Sequence, residues 1–199
     1  MNRFFLVCIG IALAAGGCAA SEPEEKTLTL VNAAAVDGKL LEQVRAFAQK
    51  ELKVPVRLID VPALAGNESF QALETAAAEL KTERDVTCIV VAELPGAEHL
   101  RADPDTGIAI INAKALYTDD VEKFTGRIRR MVMRAAAFSF GMEPTPDPYC
   151  VTRDYRSLED LDRMGNNYSP PWQARYTQEA KKRGLRIITP GRAQPPAMP

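Results

Sequence analysis

Residues 131–144 read MVMRAAAFSFGMEP, and the way this stretch begins and ends decides the fold. Working back from it, Val121, Phe124, Ile128, Met131, Val132 and Ala135 recur at helical spacing, with Met142 continuing the stripe. That pattern predicts a helix from about Thr118 to Phe140 with one apolar face turned to a core. Phe140-Gly141 followed by Pro144 is a stop signal, because glycine accepts the left-handed conformation that closes a helix and proline cannot continue one. Arg127, Arg130 and Arg134 fall on a different stripe, which reads as a solvated basic face.

Upstream of this helix, strand and helix patterns alternate. KTLTLVNA (26–33), VPVRLIDV (54–61), VTCIVVAEL (86–94) and GIAIINAKAL (107–116) are β-branched runs and read as strands. DGKLLEQVRAFAQKEL (37–52) is amphipathic, with Leu40, Leu41, Val44, Phe47 and Ala48 on one face, and ESFQALETAAAELKTE (68–83) is a second helix. His99 falls in the polar stretch GAEHLRADPDTG and is expected on a surface loop. Alternation that gives way to an irregular stretch after one long helix predicts an α+β fold, a mixed twisted β-sheet backed by helices with an irregular C-terminal part.

A chain of 199 residues, 46% hydrophobic and 26% charged, is long enough for one domain with a real core. With 25 basic and 26 acidic residues there is no basic surplus to hold phosphate, which argues against a nucleic-acid partner. At the start, Arg3 precedes an apolar run from Phe4 to Ala15, too short to span a bilayer, so residues 1–17 are expected to be a signal peptide. The segment AAGGC resembles the lipobox of bacterial lipoproteins, which implies lipidation of Cys18 and, with Ala19 after it, an outer-membrane anchor facing the periplasm. Residues 18–26 then form a tether, 27–189 a single domain, and the proline-rich 190–199 a disordered tail. Cys88 sits in a strand-like run and reads as a buried thiol; it could pair with Cys150 in an oxidising compartment if their Cα atoms came within about 7 Å.

Residues 140–172, FGMEPTPDPYCVTRDYRSLEDLDRMGNNYSPPW, carry a further signal. This run resembles the archaemetzincins, whose pattern is H-E-x-x-H-x-x-G-x-x-H-C, then C-V-M, then S-L-E-x-x-D-x-K-G and a closing F-C-P-x-C. On that pattern Gly141 falls on the glycine after the helix, Cys150-Val151 on the start of C-V-M, and Ser157, Leu158, Glu159, Asp162 and Gly165 on the next block. Tyr168 and Pro170 fall on the aromatic and proline near the end, and Arg127 and Arg130 on basic positions ahead of the first histidine. The resemblance runs from about Thr27 to Leu185 and implies a zincin-like, metzincin-like fold.

The residues of the metal chemistry are replaced. Histidines at i and i+4 can grip one zinc, with a third from the following turn and a glutamate beside the first as general base. At those places stand Arg134, Phe138 and Pro144, with Ala135 for the glutamate and Thr152 for the methionine of the turn below the metal. Of the four cysteines that the resemblance implies for a second zinc, Thr145, Ser169 and Trp172 replace three and Cys150 remains. One histidine in the chain cannot make good the loss, and a guanidinium opposes a dication. The chain is therefore expected to hold no zinc and no cofactor, with Phe138 packed where the metal would stand and Arg134 either paired with Glu143 or Asp147 or solvated.

The resulting expectation is an inactive, archaemetzincin-like envelope lipoprotein that binds a peptide or envelope protein, with GIAIINA (107–113) as the edge strand for pairing. The alternative is an enzyme with non-zinc chemistry in the same cleft, Arg134 holding an anionic substrate. A purely structural role in the envelope is the third.

Overall fold

The computed structural model describes residues 25–61 and 69–189. The signal peptide, Cys18, most of the tether and the C-terminal tail lie outside the described residues. Five strands, β1 (Thr27–Asn32), β2 (Val56–Asp60), β3 (Asp85–Ala92), β4 (Leu100–Asp103) and β5 (Ile108–Asn112), form one sheet in the order β2-β1-β3-β5-β4. Four are parallel, and β4 runs antiparallel to β5 with Leu100 opposite Ile111 and Asp103 opposite Ile108.

The apolar runs of the sequence follow from burial on both faces of the parallel strands. Along β3, Ile89 and Val91 enter one core while Cys88, Val90 and Ala92 enter the other; along β5, Ala109 and Ile111 oppose Ile108 and Ile110 in the same way. The first core is completed by α1 (Gly38–Leu52) and α4 (Val121–Phe138), the second by α2 (Phe70–Leu80). A short α3 (Ala113–Leu116) links β5 to α4, and α5 (Leu158–Asp162) and α6 (Pro170–Lys182) complete the C-terminal part.

Helix α4 starts where Asp120 accepts a 3.0 Å bond from the Lys123 N–H, with Glu122 in the first turn favouring the helix dipole. It ends where Gly141 adopts φ +71°, so that Gly141 N–H reaches Phe138 O at 2.9 Å and Met142 N–H reaches Ala137 O at 3.1 Å. This closure requires the left-handed conformation, which glycine adopts without strain.

Four sequence expectations need correction. GIAIINAKAL is not one strand: it bends into α3 after Asn112, whose side chain accepts from the Ala115 N–H. Nor is it an edge, because β5 is flanked by β3 and β4. The edge strand on that side of the sheet is β4, which lies in the stretch read as a loop around His99; it is four residues long and carries Arg101 and Asp103 between apolar neighbours, so its pattern is too brief to stand out. The arginine stripe of α4 is not a solvated face either. Arg127 and Arg134 are buried, and the C-terminal part covers them. The C-terminal part also carries α6, 13 residues with Tyr176 and Ala180 buried; its two leading prolines sit at the first helical positions, where no N–H is needed.

Candidate functional site

The last two turns of α4 and the edge strand β4 form the walls of an open cleft of about 410 Å³. Arg134 lies at its base, 6% exposed. Its Nη1 donates to Val151 O at 2.9 Å and to Arg153 O at 2.6 Å, and its guanidinium carbon is 5.0 Å from the ring centroids of both Phe138 and Tyr155. Neither expected state, an ion pair with Glu143 or Asp147 or a solvated side chain, describes it. Two carbonyls and two aromatic faces take the place of a carboxylate partner. Burial pushes its pKa down, offset in part by the Tyr155 and Asp154 charges.

Tyr155 extends this chain of contacts. Its hydroxyl shares a 2.7 Å hydrogen bond with His99 Nδ1, and the two rings stack at 5.7 Å, 10° from parallel. Burial lowers the His99 pKa, with the Arg127 charge acting in the same sense, so the imidazole is neutral near pH 7. Burial raises the Tyr155 phenol. His99 is thus half-buried and engaged, not a free loop residue; a lone histidine in a polar stretch gives no sign of a partner 56 positions away. Phe138 is half-buried and lines the cleft with Ala102, Met142 and Pro144, so it only partly fills the space assigned to it.

These residues do not fit a zinc ion. The three places on the ligand pattern present a guanidinium already spent on carbonyls, a benzene ring and a proline ring, and none offers a lone pair to a metal. Ala135, at the place of the general base, is wholly buried in the core. Among the described residues no group of three or more His, Cys, Asp or Glu is placed to hold a metal.

The second set of metal positions is stitched by hydrogen bonds. Cys150 Sγ accepts from the Ser169 N–H at 3.3 Å and lies 3.1 Å from Thr152 Oγ1. Trp172 Nε1 donates to Glu143 O at 3.2 Å, and Thr145 Oγ1 accepts from the Asp147 N–H at 3.2 Å. Cys150 and Ser169 therefore meet, while Thr145 and Trp172 hold the loop that follows α4. Cys88 and Cys150 are both free thiols and belong to the two cores on opposite faces of the sheet, so they do not pair. Burial pushes the Cys88 thiol up to about 11, which keeps it protonated and unreactive.

The scaffold positions of the downstream block meet α4 ahead of Arg134. Arg127 forms a fork with Asp162 at 2.8 and 2.7 Å and donates to Leu116 O at 3.0 Å; Arg130 donates to Asp162 O and Met164 O, both at 3.1 Å. The fork holds the Asp162 carboxyl below its usual range. At Gly165 a Cβ would stand 2.3 Å from Tyr149 O, so only glycine allows this approach.

This arrangement has solved counterparts. The archaemetzincin of Methanopyrus kandleri superposes with a TM-score of 0.66 at 18% identity, over 79% of this chain and 96% of that one. The fold is archaemetzincin-like. A zinc-dependent peptidase from Methanocorpusculum labreanum gives 0.64 at 17% identity over 75% and 99% of the two chains, and the archaemetzincin of Archaeoglobus fulgidus, in complex with malonate, 0.61 at 14% over 74% and 98%. No protein-family model matches the sequence, and no curated protein matches it. At such low identity the archaemetzincin-like architecture is what the chain shares with these structures; its own chemistry must be read from its own residues.

Proposed function

We propose that the chain is a catalytically silent, archaemetzincin-like binding protein of the cell envelope, anchored by lipid on Cys18, whose cleft takes an extended peptide segment of an envelope protein along β4. The observation that carries the reading is the state of Arg134. A guanidinium fixed to two backbone carbonyls between aromatic rings supports the base of the cleft and leaves no metal ligand there. The alternative, in which Arg134 holds an anionic substrate, would have to use Nε and Nη2, because Nη1 is committed to the two carbonyls.

The binding mode follows from topology. β4 is the last strand of the sheet, so alternate N–H and C=O groups of Leu100–Asp103 face away from β5 and can accept an added strand. Below them, Phe138, Met142 and Pro144 offer apolar surface to every second side chain of such a peptide.

Extended peptides should bind without being cut, with or without added zinc, and should slow amide exchange in β4. N-methylation of alternate peptide amides should abolish the effect by removing main-chain donors. Zinc-dependent cleavage, or one tightly held zinc per purified chain, would sink the reading. Among the described residues no helix is long and apolar enough to cross a membrane. Replacing Cys18 with Ala should end palmitate incorporation and release the protein from membranes; labelling that persists in that variant would reject the lipid anchor.

A further inference from the structure

The molecule has a second cavity, of about 700 Å³, that shares no lining residue with the cleft. It opens at the C-terminal ends of β1, β3 and β5 and over the first turn of α4. From Phe124 in its wall to Arg134 in the cleft is ten residues of helix, about 15 Å at 1.5 Å per residue. The chain leaves β1 toward β2 on one side and leaves β3 toward β4 and β5 on the other. Adjacent parallel strands whose connections diverge leave a crevice at their carboxyl ends, the position at which open α/β sheets take ligands.

We propose that this cavity binds a small amphipathic amine, an apolar body carrying one cationic nitrogen. Its size lies within the range of about 300 to 1,000 Å³ typical of small-molecule pockets. Val36, Leu40, Ala113 and Phe124 give it an apolar interior. Among the described residues three large hydrophobic side chains are strongly exposed, and two of them, Tyr117 (62%) and Val121 (68%), line its mouth. Apolar surface left exposed at the mouth of a cavity is surface that a ligand can cover.

The walls are held before any ligand arrives. Buried Asn32, at the end of β1, donates to Val36 O at 2.9 Å and accepts from Val36 N–H at 3.2 Å, while its amide also donates to Asp60 Oδ1 at 2.8 Å. This clamp keeps Ala35 in the left-handed region at φ +51°, a conformation that alanine adopts at a cost of about 1–2 kcal/mol. Across the cavity, buried Asn112 at the end of β5 accepts from Leu94 N–H at 3.0 Å and from Ala115 N–H at 3.4 Å, which fixes the opposite wall. A pocket that needs no rearrangement loses less affinity to ordering.

Charge selects the ligand. The lining contains the carboxylates of Asp37, Glu93 and Asp119 against the single ammonium of Lys114. Asp37 caps α1 through Leu40 N–H at 3.0 Å and Asp119 accepts from the Tyr117 hydroxyl at 3.1 Å. Glu93 has no hydrogen bond or ion pair among the described residues, and is free to meet a cation. An anionic ligand of the same shape would face a net negative rim.

Titration of the full chain with phenylbutylamine, phenylbutanol and phenylbutanoate tests this. The amine should bind saturably, the alcohol about tenfold more weakly, and the acid weakest, with NMR shifts centred on Val36, Ala113 and Tyr117. Glu93→Gln should weaken the amine about threefold, the effect of one partly exposed ion pair, and leave the alcohol unchanged. Val121→Arg, at an exposed position that does not threaten folding, should abolish amine binding by repulsion at the mouth. Binding of the acid as tight as that of the amine, no saturable binding of the amine, or shifts centred on His99 and Phe138 would each overturn the proposal. None of these outcomes depends on whether β4 binds peptide.

Discussion

Replacing Arg127 with alanine is expected to cost about 3–5 kcal/mol, the usual penalty for stripping one partner from a buried ion pair. The side chains of Arg127 and Asp162 are 7% and 18% exposed and meet in a two-bond fork, so the variant leaves a largely covered carboxylate without its main partner. It also frees Leu116 O, the contact that ties α3 to α4. Part of the loss is offset because the charges of Lys123 and Arg130 lie close enough to favour the ionised Asp162, which places the expectation toward the lower end. The pH dependence has a definite sign. Because the folded carboxyl is held low, its contribution is present above the unfolded value of about 3.9 and is lost as pH falls through the folded value. The gap between native chain and variant should therefore be widest near neutrality and close in acid. Urea melts at both pH values measure it, and Arg127→Met with Asp162→Leu should recover most of the loss, since an apolar pair leaves no buried charge unmatched. Equal midpoints for the native chain and Arg127→Ala at neutral pH would mean that the fork adds nothing to the fold.

How far the fold could be read from the sequence depends on the kind of signal each part leaves. The four parallel strands, α1, α2 and α4 announce themselves because burial on two faces, or on one helical stripe, imposes a long repeated pattern on Leu, Val and Ile. The end of α4 was legible for a local reason, the single backbone conformation required at Gly141. By contrast β4 is short and half-exposed, and only its pairing with β5 makes it a strand. The Asp162 fork and the close approach at Gly165 were visible as spaced residues, but their partners were not, because contact between positions 127 and 162 is a property of the folded chain.

The same distinction separates what was readable at the cleft from what was not. That Arg134, Phe138 and Pro144 cannot ligate a metal follows from their chemistry wherever they lie. Where Arg134 points does not. A buried arginine with two carbonyl partners cannot be told in sequence from a solvated one, and His99 gave no hint of Tyr155. The second cavity was invisible for a similar reason: its walls come from three separate stretches of the chain, and the two asparagines that clamp them look like ordinary strand-end residues.

Restoring the ligand pattern, with Arg134→His, Ala135→Glu, Phe138→His and Pro144→His together, should destabilise the chain by more than about 5 kcal/mol, enough to unfold a domain of ordinary stability. Two steps account for most of this. Arg134→His withdraws the donor shared by Val151 O and Arg153 O, and a buried carbonyl left without a partner costs about 1–3 kcal/mol. Ala135→Glu forces a carboxylate into a position with 0% exposure, where overpacking costs about 1–3 kcal/mol and an unpaired polar group several more. Phe138→His and Pro144→His fall on the open side of the cleft and should each cost less. Zinc should not reverse the loss. Three imidazoles bind a metal only if all reach it at about 2.0–2.1 Å, and the loop carrying position 144 is held in its present course by Trp172 on Glu143 O and by Thr145. Denaturant melts of the fourfold variant and of Ala135→Glu alone, each with and without zinc, decide the matter. A fourfold variant as stable as the native chain, or one that zinc restores, would show that the cleft still keeps the shape of a metal site and would reopen the case for catalysis there.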